Sequence, residues 1–195
     1  MATGEEYDSC WNKLQASLLV FSICRYGVCG FADYDGPIRR TCEETMKRVT
    51  YKDLVAELLP EVHECFPWDV KKRLENGDDL LFLDVRENQE YDTMRIQGSL
   101  HVPRGILETA VEWDHEETEP ELVTARERPI VVVCRSGSRS VFAAHTLARM
   151  GFKHVTSLKT GLRGWNEFDM PLVDMEGNPI APVLGDRYFA YKFLV

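Results

Sequence analysis

Beyond residue 60 the chain alternates short apolar runs with stretches of helical periodicity. Leu80 to Leu83 and Ile130 to Val133 are uninterrupted apolar runs of strand length, and Val155 to Leu158 reads as a further short strand. Between and beside them, Trp68 to Leu74 reads as a helix ended by Asn76-Gly77. Ser138 to Met150 reads as a helix closed by Gly151, and Gly161 to Phe168 as a short one. Strands that are apolar at every position, separated by helices, predict an α/β fold whose parallel sheet is covered on both faces. Residues 108 to 128, rich in Glu and Asp, read as a surface insertion. The tail holds turn residues at Gly177-Asn178-Pro179 and then an aromatic patch at Tyr188, Phe189, Tyr191 and Phe193.

The pattern before residue 60 differs. Trp11, Leu14, Leu18 and Phe21 recur at helical spacing, and Thr41-Cys-Glu-Glu has the form of a capping box. The stretch it opens carries Met46, Val49, Leu54, Val55 and Leu58 and stops before Pro60, while Gly27, Gly30, Gly36 and Pro37 mark a loop between the two helices. The expected organisation is a helical, cysteine-rich extension at 1–60, a main domain at 61–173, and a tail at 174–195 that packs on the domain or on a partner.

Composition narrows the partners. With 32 acidic residues against 23 basic ones the formal net charge is −9, which disfavours nucleic acid. No apolar run reaches the ~18 residues of a membrane span, and Glu5, Glu6 and Asp8 stand where a basic leader would begin, so the expectation is a cytoplasmic protein. A chain of 195 residues can bury a core without disulfide staples, so the six cysteines are read as reactive, metal-binding or buried thiols.

The segment Pro129-Ile-Val-Val-Val-Cys-Arg-Ser-Gly-Ser-Arg-Ser140 carries the chemistry. A buried strand delivers Cys134 at its carboxyl end, a tight polar loop follows, and a helix begins; that edge of an open α/β sheet is where ligands bind. The loop's amides can converge into an anion-binding nest, with Arg135 and Arg139 adding positive charge. All three favour the thiolate, which is the nucleophile. The competing reading is a buried strand-end thiol beside solvated arginines.

Four segments together resemble the rhodanese-type sulfurtransferase family over roughly residues 64 to 173. The loop CRSGSRS looks like its active-site loop. Leu81-Phe-Leu-Asp-Val-Arg-Glu87 with Glu90-Tyr91, Gly98-Ser-Leu-His-Val-Pro103, and Gly161-Leu-Arg-Gly-Trp165 through Met170-Pro171 resemble its other signatures, in the family's order. The resemblance implies a three-layer α/β/α rhodanese-like fold around a parallel five-stranded sheet, and a sulfane sulfur carried on Cys134. Two departures stand out: Arg95-Ile-Gln-Gly98 replaces His-Ile-Pro-Gly, and Thr160-Gly161 replaces paired glycines.

The expected function is transfer of a sulfane sulfur from an anionic donor, such as thiosulfate or a persulfide, to a thiol or protein acceptor, with no cofactor. Cys134 is the expected nucleophile; Arg135, Ser136, Gly137, Ser138, Arg139 and Ser140 form the binding loop. Asp84 and Arg86 are expected to brace that loop rather than touch substrate. Two alternatives stand beside it, a binding or regulatory module with little turnover and a cysteine-based phosphatase or arsenate reductase. The latter spaces its arginine as C-x5-R, whereas Cys134 to Arg139 is C-x4-R, a tighter ring that suits one sulfur better than a tetrahedral oxyanion.

Cys10, Cys24, Cys29 and Cys42 are open between a zinc site, a sulfur relay and packing, with no metal assigned. Cys65 reads as packing. His63, His115 and His154 read as surface residues, and neither His101 nor His145 is assigned to catalysis. The aromatic tail has the composition to cover the core or the seam of a homodimer.

Overall fold

The computed structural model describes residues 48–190. The chain divides at Arg48–Val49, and the second unit, from Val49 on, holds nearly all of the described residues. The helices expected before residue 48, Cys10, Cys24, Cys29, Cys42, Tyr191 and Phe193 therefore lie outside the described residues. In the second unit the chain runs α1 (Tyr51–Leu58), β1 (Glu64–Cys65), α2 (Pro67–Glu75), β2 (Leu81–Asp84), α3 (Asn88–Thr93) and β3 (Leu100–His101). It continues through α4 (Leu107–Ala110), α5 (Pro120–Thr124), β4 (Ile130–Val133), α6 (Ser138–Arg149), β5 (Val155–Leu158), α7 (Gly161–Glu167) and α8 (Pro182–Phe189).

The five strands form one all-parallel sheet in the order β1-β5-β4-β2-β3. The centre is β4, whose Ile130-Val-Val-Val run is buried at every position between β2 and β5. β-Branched side chains suit such a strand, and each fully buried Val or Ile contributes about 1.5–3 kcal/mol relative to exposure. The two-residue period then assigns side chains to opposite faces. Leu81, Leu83, Ile130, Val132 and Cys134 pack on one side with Ala143, Ala144 and Leu147 of α6. Phe82, Val131 and Val133 pack on the other with Val70, Leu158, Leu162, Trp165 and Phe189. Helices on both faces make the α/β/α sandwich, and Cys134 continues the face that α6 covers.

α6 presents Ser140, Ala143, Ala144 and Leu147 to the sheet at helical spacing. It ends as the sequence pattern expects: Gly151 at φ +92° lets its N–H reach Ala148 O at 3.1 Å and Phe152 N–H reach Leu147 O at 3.1 Å.

Several expectations are corrected. The helix before Pro60 starts at Tyr51, not from Thr41: Arg48 to Thr50 are non-helical, and Thr50 and Asp53 form the reciprocal cap. Residues 108–128 are more than a surface insertion, because Ala110, Val111 and Leu122 are fully buried in the α6-side core. Strands β1 and β3 have two residues each, too short to show a periodicity. The turn at Gly177 returns the chain so that Val173 bridges both Arg95 and Pro179. No helix among the described residues is long and apolar enough to cross a membrane.

Candidate active site

Cys134 follows the last residue of β4, and four residues turn the chain into α6. Two glycines make that turn dense. Gly137 has φ +96°, and a Cβ there would lie 2.9 Å from Thr160 N. Gly161, at the start of α7, has φ +58° and lies so close to the loop that a Cβ would meet Cys134 O at 2.4 Å and Ser136 N at 2.6 Å. The first amides of α7, which have no partner inside their own helix, take the loop's carbonyls: Leu162 N–H donates to Cys134 O at 2.8 Å and Arg163 N–H to Arg135 O at 3.0 Å. These bonds use the loop's carbonyls and not its amides.

One of those amides reaches the sulfur. Gly137 N–H donates to Cys134 Sγ at 3.1 Å, and Ser140 Oγ stands 3.4 Å from the same atom. Ser140 donates in turn to Gly137 O at 2.8 Å and accepts from Ser157 Oγ at 2.9 Å. Cys134 is 1% exposed, so the sulfur is buried behind the rim of the loop. That rim is formed by exposed Ser136 and by half-buried Arg135, Ser138 and Arg139.

The two arginines expected to meet substrate are each held by another element. Arg139 makes a two-pronged ion pair with Glu90 of α3, at 2.6 and 2.8 Å. Burial alone would discourage ionisation of Glu90, but the hydrogen bonds and charge of Arg139 prevail and hold its carboxyl below the usual carboxylate range. The same hydrogen bonds raise the Arg139 guanidinium above its ordinary value. Arg135 donates to Tyr188 O at 2.9 Å and lies over the rings of Tyr188 and Phe189, at 5.0 and 5.4 Å from their centroids.

Asp84 and Arg86 are fully buried and paired side-on, with Nε to Oδ1 at 2.9 Å and Nη2 to Oδ2 at 2.7 Å. The remaining donors of Arg86 reach Glu90 O at 2.9 Å and Met94 O at 2.7 Å. The pair thus anchors the middle of α3 and the residue that follows it, and α3 carries the carboxylate that holds Arg139. Glu90 stands in one of the motif segments, but nothing in its local pattern marks it as the partner of an arginine 49 positions later. His101 contacts Arg86 O at 2.9 Å and stacks on Tyr91 with centroids 4.0 Å apart. His145 stands beside Glu61 at 3.4 Å, and His63, His115 and His154 are exposed. Cys65 is buried next to Ser157 O, and burial pushes its thiol up to about 12.

Residues 67–168 match the model of the rhodanese-like domain. The chain belongs to the rhodanese-like family. Among its relatives, the candidate sulfur carrier protein YrkF of Bacillus subtilis is 34% identical over 111 residues, covering 56% of this chain and 52% of that protein. This chain therefore spans about half the length of that relative. A sulfurtransferase of Allochromatium vinosum is 27% identical over 116 residues, covering 60% of this chain and 99% of that one. Among solved structures, a Rhodopseudomonas palustris protein of unknown function, described as a candidate tyrosine phosphatase, superposes with TM-score 0.57 at 26% identity, covering 65% of this chain and 95% of that one. The polysulfide-sulfur transferase homodimer of Wolinella succinogenes superposes with TM-score 0.51 at 27% identity, covering 64% of this chain and 87% of that one. The rhodanese-like fold expected from the four motifs is the fold observed.

Proposed function

We propose that this rhodanese-like protein is a sulfurtransferase that carries a sulfane sulfur as a persulfide on Cys134. The observation that carries the reading is the placement of Cys134 Sγ behind the rim of the loop between β4 and α6, with the Gly137 N–H aimed at it from 3.1 Å. Family membership and the sulfur-handling names of the relatives support the same chemistry.

In the first displacement the Cys134 thiolate attacks the outer sulfur of thiosulfate. The S–S bond of the donor breaks, its electron pair leaves as sulfite, and Cys134 ends in S–S⁻. In the second, an acceptor (cyanide in an assay, a thiol in the cell) attacks that outer sulfur, and the electron pair of the S–S bond returns to Cys134 Sγ. The charge balances at each step without a cofactor. Loop amides held in place beforehand stabilise negative charge where it arrives, without reorganisation during the reaction.

The loop residues divide the work. Ser136, Gly137 and Ser138 supply the backbone of the ring, and Ser140 the hydroxyl behind the sulfur. The Arg139 charge is offset by Glu90, so its part is to fix the start of α6. Arg135 is held by a carbonyl and two aromatic rings, which carry no net charge, and it keeps its full positive charge at the rim to attract the anionic donor. Asp84 and Arg86 act one step back, through α3.

A thiosulfate:cyanide assay on the wild type and Cys134→Ser, with intact mass measured after thiosulfate treatment, tests the reading. Turnover and a one-sulfur mass gain in the wild type alone support it. Absence of both in a folded wild type overturns it in favour of a binding module. The C-x4-R spacing of Cys134 and Arg139 argues against phosphatase chemistry, and hydrolysis of an aryl phosphate that depends on Cys134 would reverse that judgement.

A further inference from the structure

Behind the sulfur lies a pair of serines that no solvent reaches. Ser140 on α6 and Ser157 on β5 are both fully buried, and their hydroxyls are 2.9 Å apart. A buried hydroxyl needs a partner, and Ser157 Oγ donates to Ser140 Oγ. A serine oxygen has one proton to give and two lone pairs to fill. Ser140 uses all three: it accepts from Ser157 and from the Cys134 thiol, and donates to Gly137 O. This saturates Ser140 while the sulfur carries its proton. When the sulfur is an anion, the S–H bond to Ser140 is gone and Sγ seeks donors instead. Turning the Ser140 proton from Gly137 O to Sγ supplies one beside the Gly137 N–H, provided that the oxygen stays where it is.

From this arrangement we propose that Ser157 is a positioning residue for the sulfur-transfer step, acting through Ser140 on Cys134. The inference rests on the persulfide reading above and deepens it. The hydrogen bond from Ser157 fixes the Ser140 oxygen 3.4 Å from Sγ while leaving its proton free to turn. It also polarises that O–H, because a hydroxyl that accepts a hydrogen bond becomes a stronger donor. The step that depends on it most is discharge of the persulfide. As the acceptor forms its bond to the outer sulfur, the S–S bond breaks, and the electron pair arrives on Cys134 Sγ, where the Ser140 proton meets it. Once the sulfur is reloaded, the charge moves to the outer atom and the Ser140 proton returns to Gly137 O. A side chain on a strand that never touches substrate thereby governs how readily the thiolate leaves.

Persulfidated protein mixed rapidly with cyanide reads the discharge step directly. Ser157→Ala is expected to slow discharge about five-fold, the rate equivalent of one ordinary hydrogen bond, with the KM for thiosulfate unchanged. Ser157→Thr and Ser157→Val form a second, nearly isosteric pair: Thr discharges like the wild type and Val like Ala. In a Ser140→Ala background, adding Ser157→Ala costs nothing further if Ser157 acts through Ser140. Discharge of Ser157→Ala at the wild-type rate, equal rates for Thr and Val, or additive losses in the double variant would each overturn the inference. A wild type that forms no persulfide would instead overturn the sulfur-transfer reading itself, so the two failures are distinguishable.

Discussion

Replacing Gly161 by alanine, a change of one methyl group outside the loop, should disable it. The new Cβ would lie 2.4 Å from Cys134 O, 2.6 Å from Ser136 N and 2.7 Å from the Arg135 carbonyl carbon, all backbone atoms with no rotamer to relieve them. Restoring the Cys134 O contact from 2.4 Å to an ordinary 3.4 Å requires about 1 Å of movement between loop and helix. That movement stretches the 2.8 Å bond from Leu162 N–H, at a cost of about 1 kcal/mol. The φ of +58° adds roughly 1–2 kcal/mol for a residue with a side chain. Together these give a loss of about 2–3 kcal/mol, or a fall in Tm of about 4–12 °C for a chain of this size. Activity should suffer more, because a reacting group misplaced by 1 Å costs about 100-fold in rate. Thermal melting and the thiosulfate:cyanide assay, run on the same preparation, measure both. Sulfur transfer within two-fold of wild type and an unchanged Tm would show that α7 does not clamp the loop.

Three further outcomes follow from the buried charges and thiols. Glu90→Gln leaves Arg139 without its counter-charge in a half-buried site and should cost about 1–2 kcal/mol, between the values for exposed and buried pairs, as read from denaturant unfolding. Because Glu90 ionises at a lower pH in the folded chain, its contribution is complete above the unfolded value of about 4.3 and disappears as pH falls through the folded one. The variant should therefore lose less stability than the wild type below pH 4.3, and parallel curves there would contradict the pairing. Asp84→Asn strands the Arg86 guanidinium in a fully buried site; unfolding should show a loss of about 3–5 kcal/mol, with weakened activity as α3 loosens. Cys65, its thiol pushed up to about 12 by burial, should resist iodoacetamide at pH 9 until the protein is unfolded, and peptide mapping of the alkylated sites would show it.

Much of the fold is local and was therefore legible. Ile130 to Val133 announces a strand buried on both faces, and the stretch from Ser138 to Gly151 encodes a helix with its stop signal, so Cys134 could be placed at the strand-to-loop edge from the chain alone. The four motifs in order also indicated the parallel sandwich. The two-residue strands β1 and β3 were not legible, because they exist only through hydrogen bonds to β5 and β2. The acidic composition of residues 108–128 concealed Leu122, which is fully buried in the core cluster that also holds residues of β2, β4 and α6.

Within the active site the division is sharper. Sequence alone placed Cys134 at the end of a buried strand and set the loop and the residue types in it, because strand, turn and helix preferences act over a few neighbouring positions. Only the tertiary structure decided what each side chain meets: Glu90 on Arg139, the α8 rings on Arg135, Gly161 against the loop backbone, Ser157 behind Ser140. Those partners are brought together across separations of 17 to 54 residues. Contact across such separations is fixed by how whole helices and strands pack, a property that no short window of the chain contains.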